Sequence, residues 1–111
     1  MNLLPNAELA IVPLEKLTGY VLNPMHPVGK HKASIFKRKL DLTVSNAVFL
    51  QEKIQSATLF NEAFQTYSDH FGQRFRMEFE LEHNGYSAIV VTAWILEHHE
   101  ISPRLITCYI K

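Results

Sequence analysis

The chain has 111 residues, of which 47% are hydrophobic and 20% are charged, and its formal net charge at pH 7 is zero. These values suit a compact unit with its own hydrophobic core, and we expect a single domain spanning residues 1–111. Neutrality excludes the strongly basic class of protein that coats nucleic acid without specificity. The only cysteine, Cys108, excludes an internal disulfide and a multi-cysteine zinc site.

The sequence predicts a cytoplasmic protein without a membrane partner. No apolar run reaches the ~18 residues of a membrane span. Residues 1–4 lack the basic and then apolar pattern of a secretory signal. A lone cysteine also favours a reducing compartment.

Charge is unevenly distributed along the chain. No acidic residue lies between Glu15 and Asp41, whereas six of the eleven basic residues do. A basic region of this kind can bind phosphate, although a solvated helix face is the more frequent outcome. The six are Lys16, Lys30, Lys32, Lys37, Arg38 and Lys39.

Helical periodicity dominates the first half of the chain. Pro13 suits the start of a helix over 14–22, which Gly19 interrupts. A second helix is predicted over 30–40, and a third begins after the N-cap Thr43 and ends near Thr58. Their apolar residues recur every three or four positions, as in Ala33, Phe36 and Leu40, or Ala47, Leu50, Ile54 and Ala57.

In the second half of the chain, hydrophobic and polar residues alternate with the two-residue period of a β-strand. Strands are predicted over 63–68, 73–83, 86–97 and 104–110, and Asn84-Gly85 is a strong hairpin signal. This order predicts an α+β fold, in which N-terminal helices pack on one face of a three- to four-stranded antiparallel β-meander.

Side-chain parity then assigns the two faces of the sheet. We expect the helices to cover an apolar face formed by Phe75, Met77, Phe79, Ile89, Val91, Ile95, Ile106, Cys108 and Ile110. The uncovered face would carry Arg74, Arg76, Thr92, Trp94, Thr107 and Tyr109, types that suit a phosphate and a stacked base. Alternatively, Thr92, Trp94 and Tyr109 form a second small core.

The segment 20–36 combines prolines, a glycine, histidines and lysines. Pro24 and Pro27 stiffen a loop, Gly29 permits a turn, and a helix follows. We expect this bend to hold His26, Lys30, His31 and Lys32 together over the uncovered face of the sheet, as a site for an anion. The alternative is a purely structural loop with solvated histidines and lysines.

These residue types point to metal-free acid–base chemistry without a cofactor. His98-His99-Glu100 lacks the spacing of metal ligands, and Cys108 is expected inside a strand. His26 is the candidate for proton transfer, with Lys32 and Arg76 stabilising a phosphorane, so these three form the predicted catalytic set. The predicted substrate-binding residues are Lys30, Arg74, Thr92, Trp94, Thr107 and Tyr109.

The sequence resembles an uncharacterised bacterial domain family with the signature Tyr-x-Leu-Asn-x-x-His-Pro-x-Gly-x-x-Lys-Ala-x-x-Phe. The signature is met here by Tyr20, Leu22, Asn23, His26, Pro27, Gly29, Lys32, Ala33 and Phe36. Further similarity lies in Thr92-Ala93-Trp94 and in Pro103-Arg104-Leu105-x-Thr107-Cys108-Tyr109. Such domains resemble toxin modules, and their order of elements is similar to that of the barnase–EndoU–colicin–RelE ribonuclease group.

Two functional hypotheses follow. The first is a metal-independent endoribonuclease-like toxin that acts on RNA phosphodiesters and is restrained by a small antitoxin or immunity-like protein. The second is a non-catalytic binding module that contacts a small protein partner, which the neutral charge favours.

Overall fold

The computed structural model describes residues 2–111, so Met1 of the predicted domain lies outside the described residues. Three helical segments precede a four-stranded antiparallel sheet, which confirms the predicted α+β order. No helix among residues 2–111 is both long enough and apolar enough to cross a membrane. The helices are α1 (Leu14–Lys16), continued by a π-helical segment (Leu17–Val21), α2 (Lys30–Leu40) and α3 (Ala47–Ala57). The strands are β1 (Ala63–Asp69), β2 (Gly72–His83), β3 (Tyr86–Glu97) and β4 (Arg104–Ile110).

The second helix has the predicted bounds, and local hydrogen bonds explain both of its ends. Backbone N–H groups of the preceding loop bond to His26, as described below. At the other end Asp41 adopts a left-handed conformation with φ 54°. This conformation turns the chain out of the helix, and the N–H of Leu42 then donates back to the carbonyl of Phe36 at 3.2 Å.

The third helical segment differs in detail from its prediction. Thr43 does cap it, through a capping box with Asn46. The first turn, Val44–Asn46, is a 3₁₀-helix, and the α-helix starts only at Ala47.

The sheet is a meander in the order β1-β2-β3-β4. Asn84 and Gly85 have φ values of 50° and 83°, which confirms the two-residue hairpin between β2 and β3. The outer edge of β4 is partly paired by Ile11, whose N–H donates to Pro103 and whose carbonyl accepts from Leu105.

The predicted parity of β3 was wrong. Phe75 lies opposite Trp94 and Met77 opposite Thr92, and cross-strand partners share a face of the sheet. Thr92 and Trp94 therefore point to the helix-covered side and are fully buried, whereas Ile89, Val91 and Ile95 point to the other side. The Asn84-Gly85 turn dictates this register, because it places His83 opposite Tyr86 and thus pairs odd positions of β2 with even positions of β3.

The prediction for β4 was largely correct. Cys108 and Ile110 lie opposite Thr92 and Val90 on the covered face. Ile106 was placed there as well, but it sits at a register irregularity between Leu105 and Thr107 and lines the uncovered face instead.

Thr92 and Trp94 belong to the main core rather than to a second small one. The indole N–H of Trp94 donates to Thr92 Oγ1 at 2.7 Å, and that hydroxyl donates to the carbonyl of Met77 at 2.7 Å. Both side chains are 0% exposed. Their predicted contact with a substrate therefore does not fit this structure.

Candidate functional site

The His26 imidazole holds the loop that leads into α2. Its Nδ1 accepts hydrogen bonds from the backbone N–H groups of Val28 at 3.0 Å and Gly29 at 2.9 Å. An accepting Nδ1 assigns the ring proton of the neutral imidazole to Nε2. In this tautomer Nε2 cannot accept a proton, and Nδ1 is already occupied, so the ring is not arranged as a general base.

The Tyr20 side chain joins His26 to Lys32. The rings of Tyr20 and His26 meet edge to face with centroids 4.8 Å apart. Lys32 Nζ donates to the Tyr20 hydroxyl at 3.1 Å and lies 5.1 Å from the centre of its ring. The structure thus brings His26 and Lys32 together, as the sequence predicts, with Tyr20 between them.

Gly29 is required for close packing rather than for an unusual turn. Its φ of −67° is available to any residue. A Cβ atom on Gly29 would lie 2.2 Å from the carbonyl oxygen of Tyr20. Only glycine therefore lets this loop pack against the end of the π-helical segment.

This cluster lies on the helix-covered side of the sheet. Tyr20 packs against the main core, and the next residues of α2, Ala33 and Phe36, are buried. Lys32 is near Cys108, whose thiol pKa burial raises to about 12 against a smaller opposing effect of the Lys32 charge. The prediction that the bend lies over the uncovered face was wrong, because Pro24 and Pro27 stiffen the loop without setting the face on which α2 packs.

The uncovered face of the sheet carries a second polar cluster. A cavity of about 260 Å³ opens there between residues of β1, β2, β3 and β4. Arg74, Arg76 and Tyr109 line it, and Thr107 lies on the same face opposite Ala93. The other lining residues are Thr66, Tyr67, Phe75, Val91, Ala93, Trp94 and Ile106.

Carboxylates hold the two arginines in place. Arg76 donates from Nε at 3.1 Å and from Nη2 at 2.7 Å to Glu78 Oε2, and Lys111 Nζ donates to Glu78 Oε1 at 2.9 Å. The hydrogen bond from Lys111 and, after it, the bonds from Arg76 hold the pKa of the Glu78 carboxyl below its ordinary value. The carboxyl is therefore ionised at neutral pH. Arg74 contacts Asp69 at 3.3 Å and lies over the ring of Tyr67.

Two polar atoms of this face have unused hydrogen-bonding capacity. Arg74 Nε and Thr107 Oγ1 are buried and have no partner among residues 2–111. Buried polar groups are normally hydrogen-bonded, so these two atoms are exceptions.

The structure thus separates the predicted catalytic set. His26 and Lys32 lie with the helices, whereas Arg76 lies on the opposite face of the sheet with Arg74, Thr107 and Tyr109. Lys30 belongs to neither cluster and lines a groove beside α2.

Sequence reasoning missed Glu78 as a functional candidate. It assigned no role to this carboxylate. The signal was the alternation of β2, which places Glu78 on the same face as Arg76 and two positions away. A carboxylate there can accept a proton beside two cations.

Comparisons with known proteins give a family but no characterised relative. The searches of curated proteins and of solved structures found no match. A family model described as "Domain of unknown function (DUF6883)" matches residues 3–111. That range is nearly the whole chain, and the protein therefore belongs to the DUF6883 domain family.

Proposed function

We propose that this domain is a toxin-like endoribonuclease that binds an RNA phosphodiester on the uncovered face of its sheet and cleaves it without a metal ion. The observation that carries the proposal is the meeting of Arg74, Arg76 and Tyr109 around one cavity, with ionised Glu78 beside it. This arrangement provides cations, a hydroxyl and a proton acceptor without a metal.

The arginines would bind the phosphate. Arg76 uses Nε and Nη2 for Glu78, which leaves Nη1 free to donate to a phosphate oxygen. Arg74 has an unpaired Nε, and Thr107 has an unpaired hydroxyl. Charge that develops on the phosphorane would be stabilised by these fixed donors.

Glu78 would accept the proton of the ribose 2′-hydroxyl. The 2′-oxygen then attacks phosphorus, and the bond from phosphorus to the 5′-oxygen breaks. Lys111, which shares the Glu78 carboxylate with Arg76, would donate a proton to the leaving 5′-oxygen. The products are a 2′,3′-cyclic phosphate and a 5′-hydroxyl, and expression in a bacterium without an inhibiting partner would arrest growth.

Cleavage of RNA by the purified protein in EDTA tests this proposal. We expect cyclic-phosphate products from the wild type, and a loss of rate of about 100-fold or more in Glu78→Gln and in Arg76→Gln, as for removal of a general base or a stabilising cation. Glu82→Gln, on the same face of β2, is the matched control and should retain full activity.

His26→Ala separates the two clusters. This variant should still cleave RNA on the uncovered face. Its cleavage rate should fall only in proportion to the fraction of protein that the substitution unfolds. Abolished cleavage in folded His26→Ala, together with full activity of Glu78→Gln, would place the reaction on the helix side and refute the proposal.

A second candidate is a module that binds a small protein through β1. Aromatic side chains are exposed along this strand and its ends, at Phe60 (70%), Phe64 (61%), Tyr67 (57%) and Phe71 (58%). β1 is also the outermost strand of the sheet, where backbone groups can pair with a strand of a partner. The cleavage assay and expression in a bacterium decide between the two candidates, because such a module would leave RNA intact and would not arrest growth.

A further inference from the structure

A large groove lies beside α2, on the helix side of the molecule and apart from the proposed RNA site. It encloses about 810 Å³ between the π-helical segment, α2 and the residues that lead into α3. This volume falls in the range of roughly 300–1,000 Å³ that is typical of small-molecule sites. Lining residues are Thr18, Leu22, Asn23, Pro24, Lys30, Ala33, Ser34, Lys37, Leu42, Thr43, Val44 and Ser45.

The groove has an apolar floor and a polar rim. Leu22, Ala33 and Leu42 lie beneath it and are only 2%, 6% and 0% exposed, so the apolar surface that a ligand can reach belongs to Val44, which is 43% exposed, and to the exposed Pro24. Hydroxyl groups line the sides, from Thr18 on the π-helical segment and Ser34 on α2. An apolar floor with few polar groups around it suits a ligand that has an apolar body and one polar end.

The charge of the groove is entirely positive. Its two ionisable lining residues are Lys30 and Lys37, and no carboxylate lines it. Lys37 is paired with Asp41, one turn later on α2. Lys30 makes no ion pair within residues 2–111, and is therefore the cation available to a ligand.

The backbone of one wall is fixed in an uncommon conformation. The N–H of Leu22 donates to the carbonyl of Leu17 at 2.9 Å, a π-helical bond. The Asn23 side chain donates to the carbonyl of Gly19 and accepts from the N–H of Met25. π-Helical turns are rare and are frequent at functional sites.

We propose that this groove binds a small amphipathic anion, with an apolar body against Pro24 and Val44 and a phosphate or carboxylate at Lys30. The inference is independent of the proposed ribonuclease activity, because no residue of the groove lines the cavity on the uncovered face.

Titration of ¹⁵N-labelled protein with n-octyl phosphate, below the concentration at which it forms micelles, tests the inference by NMR. We expect saturable shifts of the amide signals of Thr18, Ser34 and Val44. Inorganic phosphate tests the anionic end alone and n-octanol the apolar body alone, and each should bind at least tenfold more weakly than n-octyl phosphate.

Three variants test the assignment. Lys30→Gln should weaken binding of n-octyl phosphate about tenfold, and Ser34→Leu, an exposed substitution that fills the groove, should abolish it. Lys39→Gln removes an exposed lysine of the same helix outside the groove and should leave binding unchanged. Equal binding of n-octanol, unchanged affinity in Lys30→Gln, or no saturable shift at these amides would each overturn the inference.

Discussion

At the scale of single residues, buried hydroxyl groups show what a hydrogen bond contributes to this fold. Thr92 links the Trp94 indole to the Met77 carbonyl in the core. Thr107 has a buried hydroxyl without a partner among residues 2–111. Both are threonines in adjacent strands, so valine is the same isosteric change at each position.

We therefore expect different effects on stability from Thr92→Val and Thr107→Val. Thr92→Val leaves the Trp94 N–H unsatisfied in the core and should lower the free energy of unfolding by about 1–3 kcal/mol. Thr107→Val removes a group that is already unsatisfied and should be neutral or slightly stabilising. Urea unfolding of both variants measures this, and equal losses would contradict the assigned hydrogen bonds.

Gly19 in the π-helical segment and Gly29 in the loop before α2 differ in the space around them. A Cβ atom on Gly29 would meet the backbone of Tyr20, whereas one on Gly19 would have no atom within 4 Å. Gly29→Ala should therefore cost about 1–3 kcal/mol in stability, as overpacking does. Gly19→Ala, the matched control, should be neutral or stabilise by up to about 1 kcal/mol.

Chemical denaturation compares the two glycine variants directly. If Gly29→Ala were as stable as wild type, the contact between the loop and Tyr20 would be looser than described.

At the scale of elements, β2 shows how one strand serves two sides of the molecule. Its odd positions, Phe75, Met77 and Phe79, are buried under the helices. Its even positions carry Arg74, Arg76 and Glu78 on the uncovered face. The strict alternation made this assignment correct from the sequence.

The ion pairs of that strand should make stability depend on pH. The folded state lowers the pKa of Glu78 below its ordinary value of 4.5, through Lys111 and Arg76. The stabilisation is therefore complete above about pH 4.5 and is lost as the pH falls through the lower folded pKa. Wild type should be more stable than Glu78→Gln at pH 7. The difference in their stability should shrink as the pH falls below about 4.5.

Thermal unfolding of both proteins across that pH range measures the effect. Because the three charged groups are at least partly exposed, about 1 M NaCl should reduce the difference at pH 7. A difference that is constant with pH would show that Glu78 acts through packing rather than through its charge.

The sequence predicted the bounds of β3 correctly, but it did not predict which of its side chains face the helices. Its residues are apolar at both parities, so alternation alone does not say which set faces the helices. The two-residue turn before it does, because cross-strand partners share a face. Thr92 and Trp94 follow from that turn as core residues, and this constraint was present in the sequence.

At the scale of the whole molecule, the sheet divides the candidate residues into two groups. His26 and Lys32 accompany the helices, and Arg74, Arg76, Thr107 and Tyr109 occupy the other face. Because the proposed RNA site and the groove beside α2 lie on opposite sides of the sheet, substitutions in one site should leave the other site unchanged.

The sequence by itself determined the α+β class, the bounds of most elements, the hairpin at Asn84-Gly85 and the proximity of His26 to Lys32. These features depend on local periodicity, turn chemistry and short separations along the chain. Only the tertiary structure decided that α2 packs with its loop on the covered side, and that Glu78 meets both Arg76 and Lys111. Such choices depend on contacts between residues far apart in the chain, which no local pattern records.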